Sequence, residues 1–363
     1  MNTHIHVIHS GLTNINSRGF VFPLWYYRHN LEEAGFSLSF SKSHLVNGSS
    51  PTIIFLDSKV LKNFWEGNRD NAFSILTELK KKCEKLFWFN TADSSGLIQH
   101  QVFPYVDRYL KSQLLVEREA YRRSYYGQRV YTDYYHRNMG IIDENESFST
   151  KLNDKDIEKL GCSWNFGMAN IFSYVRANLS LLDSYTRHWI LRSYPNIDKL
   201  KTRRHHAIRH VLLSARLRTN YERNTVAYQR QYLKNQLEKN GINFDRLTPA
   251  NYFRELNSSQ FSLSPFGWGE VNVRDFESVI CGSVLVKPDM SHIETYPDIY
   301  KINSTYLSLK WDFSNSLSVI DTLPSINQEE YAMSALETYG KYVGPLGGLR
   351  FTRRIMRLVE GSV

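Results

Sequence analysis

Residues 261–289 combine a glycine-rich turn with charged side chains, a pattern suited to an anionic ligand. The segment reads FSLSPFGWGEVNVRDFESVICGSVLVKPD, and the strand expected to end at Ser264 is followed by Gly267 and Gly269. Glycines let backbone amides approach a ligand closely, and the N-terminus of a helix expected near Glu270 favours phosphate. The segment predicts a nucleotide-binding turn, with an ordinary tight turn between a strand and a helix as the structural alternative.

The helix after this turn carries Arg274 and Glu277, which are three residues apart and share one helix face. A carboxylate there can accept two hydrogen bonds from a ribose, and Arg274 or Lys287 could bind a pyrophosphate. Asp289 and His292 follow the next strand and could bind sugar hydroxyls or phosphate. An Arg274–Glu277 salt bridge and a simple polar loop are the structural alternatives.

Arg223 opens another expected helix, directly after a strand. An arginine in the first turn opposes the helix dipole, which favours a functional explanation. Arg223 could therefore meet a diphosphate from the side opposite to Arg274.

In the N-terminal half, Asp93 lies in the polar loop NTADSSG, which follows the aromatic strand residues 87–89. Loops after parallel strands face the ligand-binding edge, so Asp93 is the candidate general base or acceptor-side carboxylate. His9 and Gly11 end the first strand and would line the acceptor site. An Asx turn at Asp93 and a packed His9 are the structural alternatives.

Alternating strands and helices are expected to position these residues. In the first half we expect strands at 4–9, 52–57 and 86–89 and helices at about 21–34, 72–84 and 171–194. In the second half we expect strands at 209–216, 260–263 and 283–287 and helices at 222–239, 250–258 and 271–281. This order predicts two doubly wound α/β units that face a central cleft. Residues 121–146, rich in Tyr and Arg without clear periodicity, are expected to lie outside the core.

Composition limits the function further. The 363 residues are 42% hydrophobic and 22% charged, which predicts two folded domains rather than disorder. We find no apolar run of the roughly 20 residues that a membrane span needs and no signal-peptide pattern, and three scattered cysteines favour a reducing compartment. Metal binding is not expected, because His4 and His6 lack a nearby third ligand. The net charge of +9 favours anionic partners, whether nucleic acid, a nucleotide-bearing molecule or a membrane surface.

The order SPFGWGE, RDFES and CGSVLVK resembles the donor-nucleotide half of GT-B glycosyltransferases, in particular exostosin-like and bacterial surface-polysaccharide enzymes. The match covers mainly residues 205–313. It implies a GT-B fold of two Rossmann-like domains, with Gly267, Gly269 and Arg274 in the donor motif and Glu277 on the ribose. Glu270 and Glu277 are seven residues apart, whereas the Glu-x7-Glu motif of many retaining enzymes needs eight, so retention or inversion stays open.

The resemblance implies an acceptor-side domain at 1–196, a donor-binding domain at 197–340 and a basic C-terminal helix at 341–363. The expected enzyme is a hexosyltransferase that uses a nucleotide sugar, most simply UDP-linked, without a cofactor or metal. Its acceptor would be a growing surface glycan such as lipopolysaccharide O-antigen or capsule. The alternatives are a transferase for a CMP-linked acidic sugar of the Kdo type on the same fold, and a non-catalytic nucleic-acid-binding protein.

The C-terminal segment Phe351–Val359 places Phe351, Ile355, Leu358 and Val359 on one helix face and arginines on the other. This pattern suits either packing on the first domain or attachment to an anionic membrane. We therefore expect a cytoplasmic protein, with peripheral contact to the inner face of the membrane as the second option.

Overall fold

The structure is a computed structural model that describes residues 3–46, 50–171, 194, 196–205 and 208–361. Two parallel β-sheets with intervening helices form the framework. The expected α/β class with two Rossmann-like units is confirmed. The helix expected at 171–194 lies almost entirely outside the described residues, and the boundary after residue 196 stays a prediction.

The first sheet has six parallel strands and comes from the N-terminal half of the chain. In spatial order they are β2 (Phe36–Ser41), β1 (Thr3–Ile8), β3 (Ile53–Asp57), β4 (Lys85–Asn90), β5 (Arg108–Lys111) and β7 (Leu160–Cys162). Every residue of β3 is buried, as expected for a central strand covered on both faces. The strand order reverses between β1 and β3, so the loops after these strands flank a topological switch point, where open α/β sheets bind ligands.

The prediction of a single helix at 21–34 is wrong, because two helices occupy this part of the chain. They are α1 (Ile15–Tyr26) and α2 (Arg28–Glu33). α1 begins early because the Asn14 side chain accepts hydrogen bonds from two N–H groups of its first turn. Strand β2 was not expected, although its FSLSFS alternation is typical of a strand. Among the described residues of this half, the other α-helices are α3 (Lys62–Gly67), α4 (Arg69–Lys81), α5 (Val130–Met139) and α6 (Asp154–Glu158).

The second sheet has four parallel strands in sequential order. They are β8 (Val211–Ser214), β9 (Ser259–Leu263), β10 (Val284–Pro288) and β12 (Tyr306–Leu309). In the described part of this half the α-helices are α7 (Ile197–His205), α8 (Asn224–Glu238), α9 (Pro249–Ser258), α10 (Val273–Cys281), α11 (Ser316–Thr322), α12 (Gln328–Gly340) and α13 (Gly347–Glu360). α10 begins later than expected, at Val273, because Asn272 and Asp275 form a capping box that fixes its start.

The Tyr- and Arg-rich segment, expected outside the core, is instead part of it. Tyr126, Tyr131 and Tyr135 are fully buried, and α5 packs against α8 of the second unit. The Tyr135 hydroxyl donates a hydrogen bond to the carbonyl of Trp311 at 2.8 Å. The expectation was wrong because tyrosine rings bury apolar area as core residues do, while their hydroxyls still find partners.

A short ribbon also joins the two units. β6 (Gln113–Leu115), which follows β5, pairs antiparallel with β11 (Ile293–Thr295), which follows β10. Strand ends from the two halves are therefore hydrogen-bonded to each other through their backbones.

Helix α13 returns to the first unit and buries its apolar stripe there. Phe351, Ile355 and Leu358 are fully buried, and the Phe351 ring lies 5.0 Å from that of Trp164. The apolar face on which the membrane alternative depends is thus covered by protein. In the described part of the chain no helix is both long and apolar enough to span a bilayer.

Replacing Ile355 with alanine should destabilise the protein, because the side chain is fully buried between α13 and the first unit. We expect the free energy of unfolding to fall by about 2–5 kcal/mol, measured by urea denaturation. Met356→Ala, at the neighbouring and partly exposed position, is the matched control and should change stability far less. Equal effects of the two substitutions would contradict the observed packing of α13.

Candidate functional site

The site is built around residues 265–271, here called the glycine turn, which connect β9 to α10. Side chains of the second unit hold its first half. Arg230 donates from Nε to the carbonyl of Phe266 at 2.7 Å and from Nη2 to that of Pro265 at 3.1 Å. Gln229 Oε1 accepts the Phe266 N–H at 3.0 Å. Side chains of α8 thus provide hydrogen-bond partners for the backbone groups of Pro265 and Phe266.

Side chains of the first unit hold the other half of the glycine turn. The Tyr131 hydroxyl donates to the carbonyl of Gly267 at 2.6 Å, and Arg129 Nε donates to that of Trp268 at 2.8 Å. Gln113 Oε1 accepts the N–H of Val271 at 3.2 Å. The conformation of the turn therefore depends on both halves of the chain.

Asp93 and Gly269, predicted from opposite halves of the sequence, are in direct contact. A Cβ atom on Gly269 would lie 1.9 Å from the carbonyl oxygen of Asp93, so only glycine fits there. The Asp93 side chain itself is exposed, and its Oδ1 accepts a hydrogen bond from Asn16 Nδ2 at 2.6 Å. The contact places an accessible carboxylate directly beside the glycine turn.

Glu270, predicted to bind the donor, lies fully buried between the units. It accepts hydrogen bonds from the N–H and hydroxyl of Ser95 at 3.1 and 2.6 Å. Lys111 is also fully buried and donates to the Leu97 carbonyl at 2.9 Å. Burial lowers the pKa of Lys111 to about 7, against the opposing attraction of Glu270 and Asp93. This arrangement ties Glu270 to the neighbouring loop.

Glu277 lines a cavity of about 530 Å³ next to the N-terminus of α9. The other lining residues are Arg246, Leu247, Thr248, Pro249, Tyr252 and Phe253. The Tyr252 hydroxyl donates to Glu277 Oε2 at 2.9 Å. Burial raises the pKa of Glu277, while Tyr252 and Arg274 act in the opposite direction. A partly desolvated carboxylate thus faces a ligand-sized space.

Arg274 lies beside this cavity and shares Tyr252 with Glu277. Its guanidinium carbon is 5.7 Å from the centre of the Tyr252 ring, and Nη1 donates to the Leu263 carbonyl at 3.1 Å. Nη2 donates to the carbonyl of Arg216. Arg274 is therefore held across the carboxyl ends of β8 and β9.

Further arginines lie against two aromatic rings, that of Tyr221 beside the glycine turn and that of Trp268 within it. Arg218 and Arg230 lie 5.5 and 5.3 Å from the centre of the Tyr221 ring. Arg129 lies 5.3 Å from that of Trp268. Burial lowers the pKa of Arg230 to about 10. These guanidiniums donate to carbonyl oxygens and not to carboxylates, so no acidic partner neutralises them through these bonds.

Arg223, a predicted phosphate ligand, occupies the N-cap position of α8, and Nη1 donates to the Gly127 carbonyl at 2.9 Å. It thereby shares the Gly127 carbonyl with Arg129, which in turn holds the glycine turn. Its side chain is partly exposed.

Ser264 and Lys287, also predicted to bind the donor, are buried around Asp275. The Ser264 hydroxyl donates to Asp275 Oδ1 at 2.6 Å, and Lys287 Nζ lies 3.2 Å from Asp275 Oδ2. Burial lowers the pKa of Lys287, opposed by the Asp275 carboxylate. These side chains fix β9, β10 and the start of α10 relative to one another, and in this conformation they do not face the cavity at Glu277.

Asp289 and His292 lie in the loop after β10. Asp289 Oδ1 accepts the N–H of Ser291 at 2.6 Å, which is the loop-capping alternative. Both ring nitrogens of His292 are buried without a hydrogen-bond partner in the described part of the chain, and burial lowers its pKa. The imidazole lies 4.7 Å from the Trp311 ring.

His9 and Gly11 lie at the switch point of the first sheet, after β1. His9 Nδ1 accepts the N–H of Gly11 at 3.1 Å, and burial lowers the pKa of His9. Gly11 has a φ of +106°, a conformation that suits glycine. Asp57, at the end of β3, lies fully buried beneath this loop and accepts hydrogen bonds from Ser10, Ser17 and Thr91.

Sequence reasoning missed several residues that shape the site. Arg230 and Tyr131 act on backbone carbonyls of the turn, a role that no local pattern reveals. Asp57 could have been found, because it ends a buried strand in the same way that Asp93 follows one. Tyr252 could have been found from the Thr248-Pro249 helix start, which places it one turn into α9.

In the described part of the chain no group of three or more His, Cys, Asp or Glu side chains is arranged to hold a metal ion.

Comparison with known proteins gave no matching family model and no matching curated protein. Among solved structures, the chain is similar to an alpha-glucosyltransferase in complex with UDP, with 9% identity, coverage of 98% and 99% of the two chains and a TM-score of 0.42. A glycosyltransferase from Rickettsia africae matches with 8% identity, coverage of 99% and 98% and a TM-score of 0.46. Anabaena HepE in complex with UDP-glucose matches with 9% identity, coverage of 99% and 100% and a TM-score of 0.43.

Replacing Gly269 with alanine should disrupt the contact between the units, because the added methyl would overlap the backbone of Asp93. We expect a lower melting temperature and faster proteolysis of the loops on both sides of the contact. Gly67→Ala adds the same methyl where no atom lies within 4 Å and serves as the control. A Gly269→Ala protein that melts and digests like the wild type would show that the loops are not packed as observed.

Proposed function

We propose that this protein is a glycosyltransferase that uses a nucleotide sugar as its donor. The observation that carries the proposal is the buried carboxylate of Glu277, which lines a cavity of about 530 Å³ beside Tyr252 and Arg274. Small-molecule sites typically enclose about 300–1,000 Å³ and combine apolar walls with a few polar groups. Pro249, Phe253 and Leu247 supply such walls here.

The carboxylate of Glu277 suits the ribose of the donor. Its Oε2 already accepts one hydrogen bond from Tyr252, and a carboxylate has further lone pairs for a vicinal diol. Burial favours ligand groups that donate hydrogen bonds to Glu277, because an unpaired buried carboxylate is costly.

The diphosphate would lie between this cavity and the glycine turn. Arg274 contacts the Tyr252 ring at the cavity, and it also donates to the carbonyl of Leu263, at the end of the strand that leads into the glycine turn. Arg218 and Arg223 stand at the far end, beside the glycine turn, with their side chains at least partly exposed. Positive groups fixed before the reaction begins would stabilise the charge that develops on the departing nucleoside diphosphate.

Asp93 is the proposed catalytic carboxylate, because it is exposed and touches the glycine turn at Gly269. The acceptor would approach from the first unit, past His9 and Gly11. In an inverting reaction the carboxylate would take the proton of the attacking hydroxyl, and in a retaining one it would orient the acceptor.

For the finer specificity, we propose a UDP-linked hexose as the donor and a growing surface glycan, such as O-antigen or capsule, as the acceptor. The support is the resemblance of residues 261–289 to surface-polysaccharide enzymes. No cofactor is needed for this reaction.

Nucleotide binding tests the proposal directly. Titration calorimetry with UDP, GDP, CMP and ADP should find one preferred nucleotide, and Glu277→Gln should weaken its binding by about 10- to 150-fold, the loss expected for hydrogen bonds to a charged group. Glu238→Gln, on the exposed face of α8, removes the same charge away from the cavity and should bind normally. Failure of all four nucleotides to bind, or equal binding by both variants, would overturn the assignment.

Removing the charge of Asp93 tests the proposed chemistry. With UDP-glucose as donor and water as acceptor, we expect Asp93→Asn to release UDP about 10²- to 10⁴-fold more slowly while UDP affinity stays unchanged. Asp70→Asn, exposed in the first turn of α4, is the control. Near-normal release by Asp93→Asn would return this residue to a loop-capping role.

A further inference from the structure

The solvent-facing side of α13 carries large apolar residues together with arginines. We call this surface the outer face, and its members are Leu346, Leu349, Arg350, Arg353, Met356 and Arg357. The leucines at 346 and 349 are 75% and 67% exposed, and Met356 is 38% exposed. Spacings of three and four residues place all six on one side of the helix.

The outer face is held in its outward orientation by the opposite side of the helix. Phe351 and Ile355 are fully buried against the first unit. Arg354 donates to the carbonyl of Cys162, and Lys85 Nζ donates to the carbonyl of Val359 at 3.2 Å. The helix cannot rotate to bury Leu346 and Leu349 without breaking these contacts.

The charge pattern decides which partner fits the outer face. Three arginines lie along it and one acidic residue, Glu360, lies at its end, within a chain of net charge +9. A second copy of the chain would bring arginines against arginines across a two-fold axis. Nucleic acid would satisfy the arginines but not the leucines. An anionic bilayer satisfies both, because phosphates pair with guanidiniums while leucines enter the headgroup–acyl boundary.

We propose that the outer face of α13 docks on the surface of a bilayer that contains anionic lipids. The helix would lie parallel to the membrane plane, with Leu346 and Leu349 inserted and Arg350, Arg353 and Arg357 at the phosphates. This contact uses the side of the helix opposite to Phe351, Ile355 and Leu358. It does not depend on the proposed enzymatic activity.

Vesicle co-sedimentation of the full-length protein tests the proposal. The protein should bind vesicles of phosphatidylcholine mixed with phosphatidylglycerol, bind phosphatidylcholine vesicles weakly, and lose affinity as salt is added. An absence of binding to the anionic vesicles would overturn the proposal.

Two variants separate a membrane surface from a merely basic one. Combined Arg350→Gln, Arg353→Gln and Arg357→Gln should weaken binding to anionic vesicles about 100-fold, as expected for three arginines worth about 1 kcal/mol each. Combined Leu346→Ser and Leu349→Ser should weaken it about tenfold or more, without changing binding to a random DNA duplex. The control removes three exposed charges elsewhere through Lys239→Gln, Arg254→Gln and Lys310→Gln.

Each result decides the matter, provided that the melting temperatures match that of the wild type. If the leucine variant binds anionic vesicles as the wild type does, the outer face is only a basic patch and the proposal fails. If the control triple variant loses as much affinity as the α13 triple variant, attraction by the whole protein explains the binding and the proposal fails as well.

Discussion

The satisfaction of buried backbone polar groups in the glycine turn is the constraint on which the site depends. This short connection between β9 and α10 has few backbone hydrogen bonds of its own, and an unpaired buried carbonyl costs about 1–3 kcal/mol. Arg230 supplies donors from the second unit, whereas Tyr131 and Arg129 supply them from the first. The turn therefore takes this shape only while the two units are docked.

Three carboxylates near the glycine turn differ in burial, and this difference determines what each one can bind. Glu270 is sealed between the units and bound by Ser95, so its charge serves the contact itself. Glu277 is nearly as buried but borders a cavity, so its remaining lone pairs can serve a ligand. Asp93 is exposed beside the turn, where an incoming molecule can reach it. The same functional group thus has three environments within one short region.

The sequence predicted those parts of the fold whose signals are local. Continuous apolar runs placed β3 and β10, and the glycine turn between β9 and α10 was recognised from its residues alone. The hydrogen bond from Tyr131 to the Gly267 carbonyl was missed because it joins positions far apart in the chain. A bond to a backbone carbonyl produces no periodic pattern in the sequence. Strand β2 was missed although Phe and Leu alternate regularly with Ser along it, a local signal that could have been used. The roles of Ser264 and Lys287 could not be foreseen because Asp275 lies beneath them only in the folded chain.

The ribbon of β6 and β11 has a consequence for how such a protein can diversify. Because residues 113–115 pair with 293–295, and α13 returns to the first unit, the chain crosses between its halves more than once. A recombination point near residue 197 would separate the glycine turn from the Tyr- and Arg-rich segment, residues 121–146, whose side chains hold it. A functional chimera would have to transfer the segment from Gln113 to the end of α5 together with the second half. The conformation of the glycine turn can therefore be inherited only together with this stretch of the first half.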